Sequence, residues 1–173
     1  MTELIIRTAN HSDIEAIIEV YRPFVEDTTL TLETTVPSSF KIQQLITSAQ
    51  EANLPFLVAE LDKEIIAYAF ASRFQEKRQA YKYTCIANIY VNPQFHGGVV
   101  SHRLYEELER LLIEAGIVQI YSNITGSNIS ALIFHEQHQF TKVGHMPNFG
   151  YKFDQWHDII WMAKTIQKNK RTT

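Results

Sequence analysis

The sequence predicts an α/β fold in which a mixed, mostly antiparallel central sheet carries helices on both faces. Three observations lead there. Apolar residues recur at helical spacing over 14–25 and 40–49, and the period shortens to that of strands over 56–91. A glycine turn then hands the chain to a long helical stripe over 100–115, which is the mark of a βαβ-like crossover. The remaining segments are short and close on a hairpin, so strands outnumber helices and most neighbours run antiparallel.

Residues 4–7 read as a short opening strand. Ser12 and Asp13 offer an N-cap to a helix whose stripe is Ile14, Ile17, Ile18, Tyr21, Phe24 and Val25. Pro23 lacks an N–H and predicts a kink or an early stop. Residues 28–37 form a Thr-rich loop without a helical stripe. Ser38 or Ser39 caps a second helix with Phe40, Ile42, Leu45, Ile46 and Ala49 on its inner face. Residues 56–60, 64–74 and 81–91 alternate as three consecutive strands, with Asp62-Lys63 a tight turn between the first two. Beyond the long helix, 117–123 is a strand, 128–139 a short helix, and 140–146 and 158–165 the closing strands. There is no repeat and no low-complexity linker.

A chain of 173 residues predicts one domain over 1–166, with 167–173 a short tail. The stretch from Lys164 to Arg171 that runs into it is basic (Lys164, Lys168, Lys170, Arg171) and reads as a solvated terminus. A net charge of −3 with no stripe of Lys and Arg gives no reason to expect nucleic acid. Cys85 is the one cysteine, so no intrachain disulfide forms, which suits a reducing cytosol. Inside a strand it reads as a small buried hydrophobe, not a nucleophile. No signal-peptide pattern or bilayer-spanning apolar run is visible, and the expectation is a cytoplasmic protein without membrane contact.

The most telling stretch is 86–98. Ile86, Asn88 and Tyr90 share one face of a buried strand, and Ala87, Ile89 and Val91 share the other. Pro93 stops that strand, and Gly97 and Gly98 lead into the helix. A strand, a glycine turn and a helix start together expose free N–H groups at the positive end of a helix dipole, which is a phosphate site. Glycine in such a turn also serves plain geometry, so the pattern alone leaves both readings open.

The order of elements, with the motifs inside it, resembles the GNAT N-acetyltransferase superfamily and within it the phosphinothricin and methionine-sulfone acetyltransferase branch. Four segments carry the likeness: Ile5-Ile6-Arg7-Thr8-Ala9 with Asp13-Ile14 and Ile18 to Tyr21; Thr28-Thr29-Leu30-Thr31-Leu32-Glu33; Ile89-Tyr90-Val91-Asn92-Pro93; and Tyr151-Lys152-Phe153-Asp154-Gln155-Trp156-His157-Asp158. They span nearly the whole chain, and their order and spacing are more specific than any one of them. The resemblance implies transfer of the acetyl group of acetyl-CoA to the primary amine of a small amino-acid-like substrate. It implies that the pantetheine arm runs along Ile89, Tyr90 and Val91, and that backbone N–H groups of Gly97, Gly98, Val99, Val100, Ser101 and His102 hold the pyrophosphate. Asn128 matches a cofactor-contacting Asn and is equally a good N-cap. His135 stands where the branch has a histidine able to protonate the departing thiolate or relay the amine proton, with an ordinary pKa of about 6.5. Backbone N–H groups near 89–91 would face a developing oxyanion. A homodimer is also implied, built on the closing hairpin.

Departures from the family pattern are as informative. Val99 and Ser101 replace two loop glycines, and Val99 disfavours positive φ and adds bulk. Ile86 stands where the branch has a glutamate base. Asn88, on the same face, can orient water but accepts no proton, and Glu33 is either a substitute base, an amine-binding carboxylate, or a solvated loop residue. Gln139 replaces a helix-ending glycine, at a cost of about 1 kcal/mol if the left-handed geometry is kept. Arg73 is a candidate for a substrate carboxylate, with a surface role the plainer reading. His135 and His138 lie three apart on one helix but lack a third ligand, so no metal is expected. The late aromatics Phe149, Tyr151, Phe153, Trp156 and Trp161 suggest core or dimer packing first and a pocket wall second. The rival reading is a degenerate, non-catalytic fold that binds a ligand or partner without turnover.

Overall fold

The computed structural model describes residues 3–75, 78–95 and 98–167. Its elements follow the chain as β1 (Leu4–Thr8), α1 (Ile14–Asp27), α2 (Ser39–Glu51), β2 (Phe56–Leu61), β3 (Glu64–Arg73), β4 (Thr84–Val91), α3 (Val99–Glu114), β5 (Gln119–Thr125), α4 (Ile129–Gln137), β6 (Thr141–Lys152) and β7 (Gln155–Thr165). The strands form one seven-stranded sheet in the order β1-β2-β3-β4-β5-β7-β6. Every neighbouring pair is antiparallel except β4 and β5, which α3 joins as a parallel crossover. The class is the one the periodicity predicts.

Strand alternation sends side chains into two cores, one on each face. Leu57, Ala59, Ala67, Ala69, Cys85 and Ala87 meet Leu104, Leu108 and Leu112 of α3 on one side. Phe56, Val58 and Tyr68 meet Ile17, Ile18, Tyr21 and Phe24 of α1 and Ile42 and Ile46 of α2 on the other. Each such aliphatic or aromatic side chain contributes about 1.5–3 kcal/mol by leaving water. The alanines of β3 and β4 are small because α3 crosses close above them. Phe56, Tyr68, Phe70 and Tyr90 stack on the second face, and Tyr21 meets Tyr90 edge-on with centroids 4.6 Å apart.

The structure departs from the sequence reading in several places. Asn10, not Ser12, caps the opening turn by accepting from Ser12 N–H, while Asp13 receives Arg7 and the Asn10 N–H. Pro23 does not stop α1, which runs on to Asp27. Phe40, expected on the inner face, is 68% exposed in the first turn of α2. The third strand starts at Thr84, as Gln79–Tyr81 form a 3₁₀ turn, and β3 ends at Arg73. Strand β4 is buried only at Cys85 and Ala87. The closing strands are far longer than expected, β6 reaching Lys152 and β7 starting at Gln155, with Phe153 and Asp154 turning at positive φ. Pro147 is accommodated in β6 because it sits in a bulge between Met146 and Gly150 where no ladder bond is required. Residues 168–173, most of the expected tail, lie outside the described residues.

Candidate active site

The sheet opens in its middle. Strands β4 and β5 pair only over Thr84 to Ile86, opposite Gln119 to Tyr121, and then separate. Ser122 Oγ donates to the Ala87 carbonyl at 3.2 Å, the last bond across the seam. Ile89 and Val91 are in phase with Ala87, so their N–H and C=O groups turn toward β5 where no strand meets them. This opening is why β4 is half-exposed.

A groove of about 750 Å³ occupies the opening, lined by Asn88 to Val91, Phe95, Gly98, Ser101, His102, Ser122 to Ile124 and one face of α4. At its far end Gly98 takes φ +80° as the N-cap of α3, a conformation open to glycine at little cost. Val99 therefore starts the helix with ordinary helical backbone, and the left-handed residue lies one position before the family's glycine. Its side chain points to solvent, 65% exposed. The N–H groups of Val99, Val100 and Ser101 lie in the helix's first turn, before intrahelical bonding begins. His102 N–H closes the first such bond, to Gly98 O at 2.9 Å, so the part of His102 that faces the groove is its imidazole. Gly97, the remaining predicted loop residue, lies outside the described residues.

Asn128 caps α4, its Oδ1 accepting from Ala131 N–H at 3.1 Å, and it also borders the groove. Two turns further, His135 is buried at 6% exposure, its ring edge-on to Phe140 at 4.9 Å. Its Nδ1 donates to the Ala131 carbonyl at 2.7 Å, which fixes the tautomer with Nε2 as acceptor. Burial lowers its pKa, and the carbonyl bond only partly offsets that. His135 is thus neutral near pH 7, suited to accepting a proton. His138, at the C-cap of α4, reaches instead across to His102 on α3. Among the described residues no group of three or more His, Cys, Asp or Glu is placed to hold a metal.

On the other face of the sheet a second chamber of about 960 Å³ lies between the Thr-rich loop, α2 and the closing strands. Leu30, Asn88, Tyr90 and Asn123 line both spaces, so the two meet through the opened seam. The loop is held from three sides. Tyr21 and Thr31 share a buried hydroxyl bond of 2.7 Å. Lys152, 4% exposed, donates to Thr31 O at 3.0 Å and lies 3.4 Å from Phe24 O. Leu32 packs against Gly150, where any Cβ would lie 2.2 Å from its Cδ1. Burial lowers the Lys152 pKa, against the pull of Glu33.

Glu33 is exposed at the rim of this chamber, Ile86 is part of its wall, and the charged residues lining it are Glu33 and Lys41. Arg73 is elsewhere: its guanidinium donates to the carbonyls of Ala52 and Lys82, tying down loops at the end of β3. The bulge in β6 turns Phe149 toward the chamber, and Trp161 joins it from β7, so two of the late aromatics form pocket wall. Tyr151, Phe153 and Trp156 are exposed on the hairpin instead. Sequence reasoning missed Lys41, Asn123, Lys152 and the His102–His138 contact. Only the last two carried any signal, a lysine in an aromatic run and histidines in neighbouring amphipathic helices.

Residues 6–161 match the family model described as an acetyltransferase (GNAT) domain. The chain belongs to the GNAT acetyltransferase family. A phosphinothricin N-acetyltransferase of Alcaligenes faecalis is 27% identical over 168 residues, covering 96% of this chain and 85% of that protein. The L-amino acid N-acyltransferase MnaT of Escherichia coli is 28% identical over 171 residues, covering 96% and 95%. Among solved structures, a GNAT superfamily phosphinothricin acetyltransferase from Sinorhizobium meliloti in complex with AcCoA superposes with a TM-score of 0.91 at 27% identity, covering 98% of this chain and 92% of that one. Membership makes the protein an acetyl-CoA-dependent N-acetyltransferase.

Proposed function

We propose that this GNAT protein acetylates the primary amine of a small zwitterionic amino acid of the phosphinothricin or methionine-sulfone type. The observation that carries this reading is the passage through the sheet. A groove with unpaired strand edge and helix-start N–H groups on one side meets, at Asn88, Tyr90 and Asn123, a chamber walled by the Thr-rich loop on the other. The residues fit acetyl-CoA. The edge at Ile89, Tyr90 and Val91 offers an amide-bearing arm the bonds a strand would make. The turn from Gly98 to Ser101 offers N–H groups to pyrophosphate, with Asn128 on the same groove. When bound, the cofactor supplies an acetyl thioester; the chain orients the amine and moves its proton.

Glu33 and Lys41, of opposite sign on one chamber, suit an ammonium and a carboxylate. His135 accepts the amine proton through Nε2, the role its neutral tautomer supports. The unpaired N–H groups of Ile89 and Val91, with Tyr90 between them, face the charge that develops on the carbonyl oxygen. The exposed aromatics Tyr151, Phe153 and Trp156 support a homodimer through the hairpin, and the single buried thiol suits the cytoplasm. Ile86, where the branch has a glutamate, favours the rival reading of binding without turnover.

Calorimetric titration with acetyl-CoA, followed by thiol release in the presence of methionine sulfone and phosphinothricin, separates these readings. Micromolar binding, about −8 kcal/mol, with amine-dependent thiol release is expected, and His135→Gln should slow the reaction about a hundredfold. Binding without release on any amino acid would favour the non-catalytic reading. Absence of binding at millimolar cofactor would refute both cofactor site and reaction.

A further inference from the structure

The groove that receives so anionic a cofactor has no lysine or arginine in its lining among the described residues; its ionisable side chains are Tyr90, His102 and His135. His135 is buried and committed to the Ala131 carbonyl. The first turn of α3 offers Val99, Val100 and Ser101, all uncharged, before His102. The His102 ring lies over the Gly98 turn, its Nε2 3.8 Å from where a Cβ on Gly98 would stand. Its Nδ1 faces His138 Nε2 at 2.7 Å, so one proton is shared between the two rings.

Resting on the acetyl-CoA reading above, we propose that the His102–His138 pair is a proton-linked phosphate contact. It takes up one proton when pyrophosphate binds and places an N–H of His102 toward the first turn of α3. With no added proton the pair holds two N–H groups, one of them in the shared bond, and His102 Nε2 is protonated in only one of the two tautomer arrangements. Adding one proton gives His102 an Nε2–H in either arrangement and makes the pair a cation beside the phosphate site. The surroundings permit this. Burial, His102 and Lys164 hold the His138 pKa down, while Glu109 and Glu106 on α3 pull it up, so the charge on the pair is favoured once an anion stands beside it. Lys164 and Glu109 are themselves paired at 2.6 Å, which mutes both, and the Tyr105 ring packs 4.2 Å from His138 without carrying charge. His135, on the same helix as His138, is turned to Ala131 and Phe140.

The test is calorimetry of dephospho-CoA binding in buffers of different ionisation heat. This ligand keeps the pyrophosphate and lacks the phosphomonoester that would itself titrate near pH 6. Uptake approaching about one proton at neutral pH is expected, with affinity falling up to about tenfold per pH unit above the pair's titration. His102→Gln should abolish the uptake, and pantetheine, which has no phosphate, should bind without it even in the unaltered protein. Binding of dephospho-CoA with no proton uptake would overturn this proposal and leave the acetyltransferase reading intact. Equal uptake with pantetheine would also overturn it, since the proton would then not answer to phosphate. Failure of every CoA form to bind would overturn both.

Discussion

Replacing Gly150 by alanine tests whether the closing hairpin holds the Thr-rich loop in place. The glycine has no special backbone requirement, so the effect is steric. The new methyl would lie 2.2 Å from Leu32 Cδ1 and 3.4 Å from its Cγ, far inside van der Waals contact. Leu32 must rotate or the loop must lift, and overpacking of this kind costs about 1–3 kcal/mol. For a chain of this length about 2 kcal/mol corresponds to a fall in Tm of roughly 4–8 °C. Because Leu32 lies between Thr31, bonded to Tyr21, and Glu33 at the chamber rim, the amine KM should rise while cofactor affinity stays unchanged. Thermal melts, amine kinetics and acetyl-CoA titration of Gly150→Ala, Leu32→Ala and the double variant check this. In the double variant the clash is gone, so the penalties should not add. A Gly150→Ala protein with unaltered Tm and KM, or a double variant as impaired as the sum of the singles, would refute the coupling of hairpin to loop.

Gln139 ends α4 at φ +67°, and Gln139→Gly should raise stability by about 0.5–1 kcal/mol in a denaturant melt, as the left-handed strain outweighs the added chain freedom. Burial pushes the Cys85 thiol up to about 12, so it should resist alkylation at pH 8 in the native state and react at once on unfolding. Its folded pKa is raised, so the stability it contributes is complete below the unfolded thiol pKa and is lost as pH rises from there toward about 12; Cys85→Ala should flatten that alkaline limb. The Arg7 hydrogen bonds hold the Asp13 carboxyl below its ordinary range, stabilising the fold above the unfolded pKa of about 3.9 and less as pH falls through it. Asp13→Asn should therefore destabilise at pH 7 and make Tm less dependent on pH in the acid range.

Much of the architecture was legible because its periods are clean. The stripe of α1, the alternation of β2 and β3, and the Asp62-Lys63 turn each follow one local rule, and the structure keeps them, both turn residues at positive φ. The same rules failed where distant packing decides. The expected strand ends at Met146, but β7 supplies partners on either side of the bulge that follows. Phe40 fits the helical stripe of α2 yet stays exposed in its first turn. Around the site, sequence order could align Gly98, Asn128 and His135 with roles. It could not show that His138 faces His102, or that Arg73 faces loop carbonyls, because those contacts join elements far apart in the chain.

The short β4–β5 pairing makes one molecule out of two half-sheets. Four strands lie on one side of a seam and three on the other, and three residue pairs of ladder cross it. The cofactor groove lies along that seam, so a bound arm on Ile89 and Val91 acts as mortar between the halves. Binding and mechanical cohesion then become one quantity, and stability should climb with the logarithm of ligand concentration above Kd. Amide exchange should reveal it directly, with the Ile89 and Val91 protons open to solvent until the arm lies down and slow afterwards.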